Sequence, residues 1–159
     1  SLEDRPLGTM GPLRLIPDLP EQFLVMNGDI LTDLDFVAFH ESHVAADSLF
    51  TISSYRTEQL IDYGVLETDS LRRLVGFREK PKTEYEVSMG IYMVSRKVLD
   101  FVPQGRPYGF DNLMLDLIAA NQEVAVRSFD GYWLDIGRPD DYLQAIEKFE
   151  AMKSHFIYG

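Results

Sequence analysis

Short apolar runs alternate with helix-like stretches along this chain, and that alternation confines it to a layered α/β fold. Residues 23–27 form a brief apolar run closed by a turn signal, as a buried strand does. Residues 35–46 read as a helix, with Phe36, Val37, Phe39 and Val44 apolar among polar positions. Residues 49–54 predict a second strand. Residues 63–67 and 74–78 flank a polar turn and predict a hairpin; 88–94 predict the next strand. Ser95 is placed to cap a short helix over 96–101, which Pro103 stops. A helix over 110–120 carries Leu113, Leu117 and Ile118 on one side. Residues 124–129 and 132–134 predict strands around an Asp130-Gly131 turn. The last helix opens at Pro139 with Asp140 and Asp141 in its first turn. Its apolar stripe is Tyr142, Leu143, Ile146, Phe149 and Met152. Crossovers mixed with hairpins predict a mixed sheet with helices on both faces. In such open sheets, ligands bind at the carboxyl ends of strands.

A single domain is expected over residues 1–159, a length that buries a real core. No apolar run reaches the 18 or so residues a membrane span needs. The opening Ser1-Leu2-Glu3-Asp4-Arg5-Pro6 lacks the basic and apolar regions of a signal peptide, and it lacks an initiator methionine. It reads as a chain trimmed, or cut from something longer. There are no cysteines, which excludes disulfides and thiolate metal sites and is compatible with a cytoplasmic location. The net charge of -11 disfavours a nucleic-acid backbone as partner. A local basic pocket for a small phosphate ligand is still compatible with it.

Two acids follow apolar runs where strands would emerge. Asp29 ends Phe23-Leu24-Val25-Met26-Asn27-Gly28-Asp29, and Asp135 follows Tyr132-Trp133-Leu134. A magnesium ion takes one or two carboxylates and keeps waters and substrate phosphates as its other ligands, so these two would suffice. Each acid also has a plainer explanation. Asn27-Gly28 is the best short hairpin signal, although the stretch from Leu34 looks helical rather than like a returning strand. Asp135 fits a solvated loop before the last helix, although an unpaired carboxylate between Leu134 and Ile136 is costly. Glu79-Lys80-Pro81 ends a strand. Pro81 is expected to stop ladder pairing and to hold Lys80 extended. The lysine is a point charge suited to a phosphate; a solvated ion pair is the plainer account. Leu7-Gly8-Thr9-Met10-Gly11-Pro12-Leu13 offers two glycines that let a ligand approach the backbone. The spacing is not a P-loop, and alone it reads as a turn. His40 and His43 lie three apart with no third ligand at matching spacing, and read as solvated. No Gly-x-Ser-x-Gly and no thiol support covalent catalysis. Two carboxylates and a lysine at strand ends point instead to phosphoryl or nucleotidyl transfer.

Taken in order, Pro6–Leu13, Asn27-Gly28-Asp29, Asp62-Tyr63-Gly64-Val65-Leu66-Glu67, Glu79-Lys80-Pro81, Gly90-Ile91-Tyr92 and Trp133-Leu134-Asp135-Ile136-Gly137-Arg138-Pro139 resemble the sugar-1-phosphate nucleotidyltransferases, or nucleotide-sugar pyrophosphorylases. Each motif is weak singly; the ordered set is specific and spans nearly the whole chain. It is most similar to the mannose-1-phosphate guanylyltransferase branch, with the thymidylyl and heptose-phosphate branches close behind. The resemblance implies a Rossmann-like three-layer sandwich of the nucleotide-diphospho-sugar transferase type, with a mixed, mostly parallel sheet. It implies attack of a sugar-1-phosphate oxygen on the α-phosphorus of a nucleoside triphosphate, with loss of pyrophosphate. Asp29 and Asp135 would then hold Mg2+, and Lys80 would contact the sugar phosphate. Tyr63, Gly64, Glu79 and Ser88 would face the sugar, with Ser88 standing where many relatives carry Asn. Leu7, Gly8, Thr9 and Gly11 would lie near the nucleobase.

The family's opening segment, with its first strand and a Gly-rich loop bearing Arg and Lys, is not among these residues. The chain alone is therefore expected to be inactive or weak. An edge exposed near 23–27 is expected either to drive homo-oligomer formation or to rearrange. The alternative is a non-catalytic sugar-phosphate-binding or regulatory module of the same fold. Another magnesium-dependent phosphotransferase or phosphatase ranks last, because Asp29-Ile30-Leu31-Thr32 lacks a second acid two residues on.

Overall fold

The computed structural model describes residues 3–137 and 139–156. Ser1, Leu2 and the Arg138 of the last motif lie outside the described residues, as do the side chains of Pro139, Asp140 and His155. The fold is a Rossmann-like α/β sandwich. Its main sheet has the order β1 (Gln22–Met26), β6 (Lys82–Ser95), β3 (Phe50–Leu60), β7 (Val124–Phe129). Strand β6 runs antiparallel to both β1 and β3, and β3 runs parallel to β7. Three of the four strands therefore share a direction, with β6 reversed between them.

The second half of β6 is buried on both faces, so it reads as a continuous apolar run rather than an alternation. Tyr92 and Val94 join Phe23, Phe50, Leu113 and Leu117 in one core layer. Met89, Ile91 and Met93 join Leu34 and Phe39 in the other. Helix α2 (Phe110–Ala119) supplies Leu113 and Leu117 to the first layer; α1 (Phe36–Ala46) supplies Phe39 to the second. Helices thus lie on both faces, as the element pattern predicts.

Several local expectations are corrected. Ser95 makes no side-chain cap bond; the 3-10 turn after it, Arg96–Asp100, is instead tied back by Arg96 N–H to the Glu21 carbonyl at 2.8 Å. Ile118 is 67% exposed, because a step of one residue after Leu117 turns it about 100° off the buried line. In α1 the inward line is Phe39 and His43, four apart, while Val37 and Val44 face solvent. The histidine is not solvated. Its Nε2–H donates to Gln22 Oε1 and its Nδ1 meets the Thr51 hydroxyl, both at 2.7 Å.

The Asp130-Gly131 turn does not close a hairpin. Strand β7 enters the main sheet, whereas β8 (Trp133–Asp135) crosses to pair with β2 (Ile30–Thr32). Helix α3 (Pro139–Phe156) leaves Tyr142, Leu143 and Ile146 about half or more exposed and buries Ala145 instead. Its backbone departs from helical geometry at Met152.

Beyond the core, β3 and β6 continue together as a two-stranded arm, from Arg56↔Glu86 out to Leu60↔Lys82. The arm carries a hairpin made of β4 (Val65–Thr68) and β5 (Leu74–Arg78).

Candidate functional site

Asp29 sits in the link between β1 and β2. These two strands do not pair, so Asn27-Gly28 is not a hairpin turn. The Asn27 amide instead donates to the Gly90 carbonyl at 2.9 Å, which extends β1 along β6. Gly90 has φ +75°, and a Cβ there would lie 2.7 Å from Asn27 Nδ2. Glycine at 90 therefore makes room for the Asn27 side chain. Gly28 has open space where its Cβ would point, so packing does not demand glycine there.

Asp135 closes β8, opposite Ile30. The Ile136 amide donates to the Asp29 carbonyl at 2.8 Å, which ties the two acidic segments together. Both carboxylates turn over Gly137. A Cβ on that glycine would stand 3.1 Å from Asp135 Oδ1 and 3.2 Å from Asp29 Oδ2. Two carboxylate oxygens from segments a hundred residues apart thus border one small space. Magnesium binds its oxygens at about 2.0–2.1 Å, and two carboxylate oxygens that border one point are candidates to share an ion. Both side chains are exposed, which leaves room for waters and phosphates as further ligands. Among the described residues no cluster of three or more His, Asp or Glu side chains is placed to hold a metal.

Lys80 belongs to a second group. Its ammonium pairs with Asp62 at 2.7 Å, both side chains being more than half exposed. Its backbone is left-handed, with φ +42°, not extended. Pro81 does not stop the ladder, either. The chain turns sharply between β5 and β6, Pro81 presents its carbonyl to the Ile61 amide at 3.1 Å, and β6 begins at the next residue. The tight corner overrides the usual preference before proline. Gly64 lies against this corner: a Cβ would strike the Phe77 ring at 2.6 Å and come within 3.2 Å of Glu79 Oε2. Gly64, Glu79, Lys80 and the exposed Tyr63 accordingly gather at the base of the hairpin.

Ser88 is apart from them, on β6. Its hydroxyl accepts from the Gly90 amide at 3.2 Å and donates to the Tyr92 hydroxyl at 3.1 Å. Burial pushes the Tyr92 phenol above its ordinary value, and the Ser88 bond offsets part of that. Tyr92 also lines a cavity of about 360 Å³ with Thr9, Met10, Val25, Met26, Asn27 and Phe110.

Of the four residues expected near a nucleobase, only Thr9 reaches this cavity. Its hydroxyl also accepts from the Phe110 amide at 2.9 Å, at the start of α2. Leu7 is buried. Gly8 has φ +77°, and its Cβ would press 2.8 Å from the Tyr108 carbonyl; at Gly11 a Cβ would sit 2.9 Å from that of Leu7. The glycines here serve close approach of the chain to itself. Met10, Val25, Met26 and Phe110 were not legible as lining residues, because an apolar residue lining a cavity has the same sequence signature as one in the core.

Residues 1–152 match the family model described as "Nucleotidyl transferase". The chain is 32% identical over 155 residues to a mannose-1-phosphate guanylyltransferase catalytic subunit beta of Dictyostelium discoideum, covering 92% of this chain and 42% of that relative. It is 32% identical over 156 residues to a UTP–glucose-1-phosphate uridylyltransferase of Synechocystis, covering 91% and 40%. The chain thus spans less than half the length of these curated relatives. Among solved structures, HddC from Yersinia pseudotuberculosis superposes with a TM-score of 0.63 at 30% identity, over 92% of this chain and 64% of that one.

Proposed function

Because the chain belongs to the nucleotidyl transferase family, we propose that its site serves transfer of a nucleotidyl group from a nucleoside triphosphate to a sugar-1-phosphate. The observation that carries this reading is the convergence of Asp29 and Asp135 over Gly137. Nucleotidyltransferases of this family generally use a divalent metal, and Mg2+ held by these two carboxylates is the proposed ion. When bound, it would neutralise phosphate charge and act as a Lewis acid and template.

The chain's own residues would do the rest by placement. A sugar-1-phosphate oxygen is already anionic, so no general base is required; in-line positioning and charge neutralisation suffice. Lys80 would turn from Asp62 to the sugar phosphate, with Tyr63, Gly64 and Glu79 beside the sugar. Ser88 would reach the same ligand from β6. The cavity bordered by Thr9 and Asn27 would take the nucleobase side, with Leu7, Gly8 and Gly11 shaping its wall from behind. Turnover by these 159 residues alone is proposed to be weak. Among the described residues neither acid has a Lys or Arg ion-pair partner, and the net charge is -11, so little here anchors a triphosphate.

Binding is the decisive measurement, since it is read without turnover. Mannose-1-phosphate and glucose-1-phosphate, titrated calorimetrically with and without Mg2+, should show metal-dependent binding of at least one. Absence of binding to both, with a cooperatively folded protein, sinks the proposal.

A further inference from the structure

Asp33 touches neither acid, yet it holds the element that brings them together. Strands β2 and β8 form a ribbon of only three paired residues a side: Ile30↔Asp135, Leu31↔Leu134 and Thr32↔Trp133. Isolated two-stranded ribbons are marginal in water. A slip of one residue turns every side chain to the opposite face, and would take Asp135 off the face it shares with Ile30. Register in this ribbon therefore decides whether the carboxylates meet.

One end is fixed by the Ile136 amide on the Asp29 carbonyl. The other end is fixed by Asp33 twice. Its amide donates to the Tyr132 carbonyl at 3.2 Å, and its carboxylate accepts from the Tyr132 amide at 2.7 Å. The second bond comes from a side chain standing in where a backbone carbonyl would continue the ladder. Gly131 is shaped around it, since a Cβ there would lie 2.7 Å from Asp33 Oδ1 and 2.4 Å from the Phe129 ring. The family resemblance gives Asp33 no role, and Asp35 two residues on is accounted for as the α1 cap, accepting from the Val37 and Ala38 amides. The three residues of β2 separate Asp33 from Asp29, a span of about 13 Å over four steps of 3.3 Å.

We propose that Asp33 is a positioning residue: its side-chain bond to the Tyr132 amide locks the β2–β8 register that sets Asp135 opposite Ile30 and Ile136 opposite Asp29, so that both carboxylates border Gly137. This inference rests on the metal reading above, and two measurements separate them. Hydrogen exchange at the Tyr132 amide reads the lock alone. Paramagnetic broadening of the Ile30 and Ile136 amides by Mn2+ reads the ion site.

In the wild-type chain Mn2+ should broaden both amides together. Asp33→Ala should speed Tyr132 exchange at least about tenfold, and should raise the Mn2+ needed for broadening at least about fivefold, while the protein still melts cooperatively. Asp33→Asn keeps an acceptor oxygen and should stay within about twofold of wild type in both. Gly131→Ala, which crowds Asp33 off the amide, should behave like Asp33→Ala. Unchanged Tyr132 exchange in Asp33→Ala overturns the lock. Faster exchange with unchanged Mn2+ broadening overturns the positioning role. Equal impairment in Asp33→Asn and Asp33→Ala overturns the hydrogen bond as the cause. Wild-type broadening that misses Ile30 and Ile136 overturns the metal reading instead, and exchange still judges the lock.

Discussion

Two small two-stranded elements carry most of the candidate site, and they are built differently. The β2–β8 ribbon is short but tethered to the core. The Trp133 indole N–H donates to the Met89 carbonyl at 3.1 Å, its ring packs 5.3 Å from Tyr55, and Ile30 lies against the second core cluster. The β4–β5 hairpin stands on an arm in solvent. Leu66, Val75 and Phe77 are each more than half exposed, and its ion pairs, Arg78–Glu67 and Arg73–Asp69, are surface pairs of small energetic weight. The difference matches the proposed tasks. In the proposed tasks, fixed carboxylates would pre-organise a cation, whereas an exposed lysine would exchange one anionic partner for another. A two-stranded hairpin with few buried contacts belongs to the low-stability end of a fold, where ligand-binding segments are found.

That contrast breaks first at the acids. Asp135→Asn, or Asp29→Asn, should weaken Mg2+-dependent sugar-1-phosphate binding by about 100-fold or more, since disturbing even the surroundings of a metal ligand costs 10–100-fold. Thermal stability should hardly move, because both side chains are exposed. A matching fall in melting temperature would mean that the acids are structural. On the hairpin, Lys80→Ala should cost roughly ten- to a hundredfold in the same titration, the range for a hydrogen bond to a charged group. The loss should shrink as salt rises, and Mn2+ broadening at Ile136 should be unaffected. An effect of Lys80→Ala on that broadening would erase the division of labour between the two elements.

A third test concerns the edge rather than the site. Among the described residues strand β1 pairs with β6 alone, and Leu24 and Met26 are 39% and 41% exposed. Sedimentation should show self-association through this edge, and Leu24→Lys should reduce it, because a charged edge resists strand addition. A strictly monomeric wild type refutes this.

The smallest effect is on pH dependence. Burial, with His40 as the second cause, holds the His43 imidazole below its usual range. The folded state then binds fewer protons than the unfolded one. Its stabilising contribution is complete above the unfolded value of about 6.5 and is lost as pH falls below that toward the folded value. Melting temperature should drop between about pH 7 and pH 5 in the wild type, and less so in His43→Gln. Equal slopes would remove His43 from the account.

Much of this protein was readable without coordinates, for a definite reason. Strands and helices leave periodic apolar patterns, so β1, α1, α2, the hairpin and the α/β class follow from sequence. Asp29 and Asp135 stood out as candidates because an acid just past an apolar run is chemically out of place. The misses share a cause as well. A turn dipeptide such as Asp130-Gly131 says that the chain bends, not which strand it pairs with next. His43 looked solvated because its partners Gln22 and Thr51 lie 21 and 8 residues away.

By itself, then, the sequence determined the class of fold and singled out the candidate groups of the proposed site, since those depend on local periodicity and side-chain type. Only the tertiary structure decided that β8 leaves β7 to pair with β2, that Gly137 opens the space both carboxylates border, and that Asp33 closes the far end of the ribbon. Those are outcomes of non-local pairing, where a single residue of register separates an assembled site from two unrelated acids.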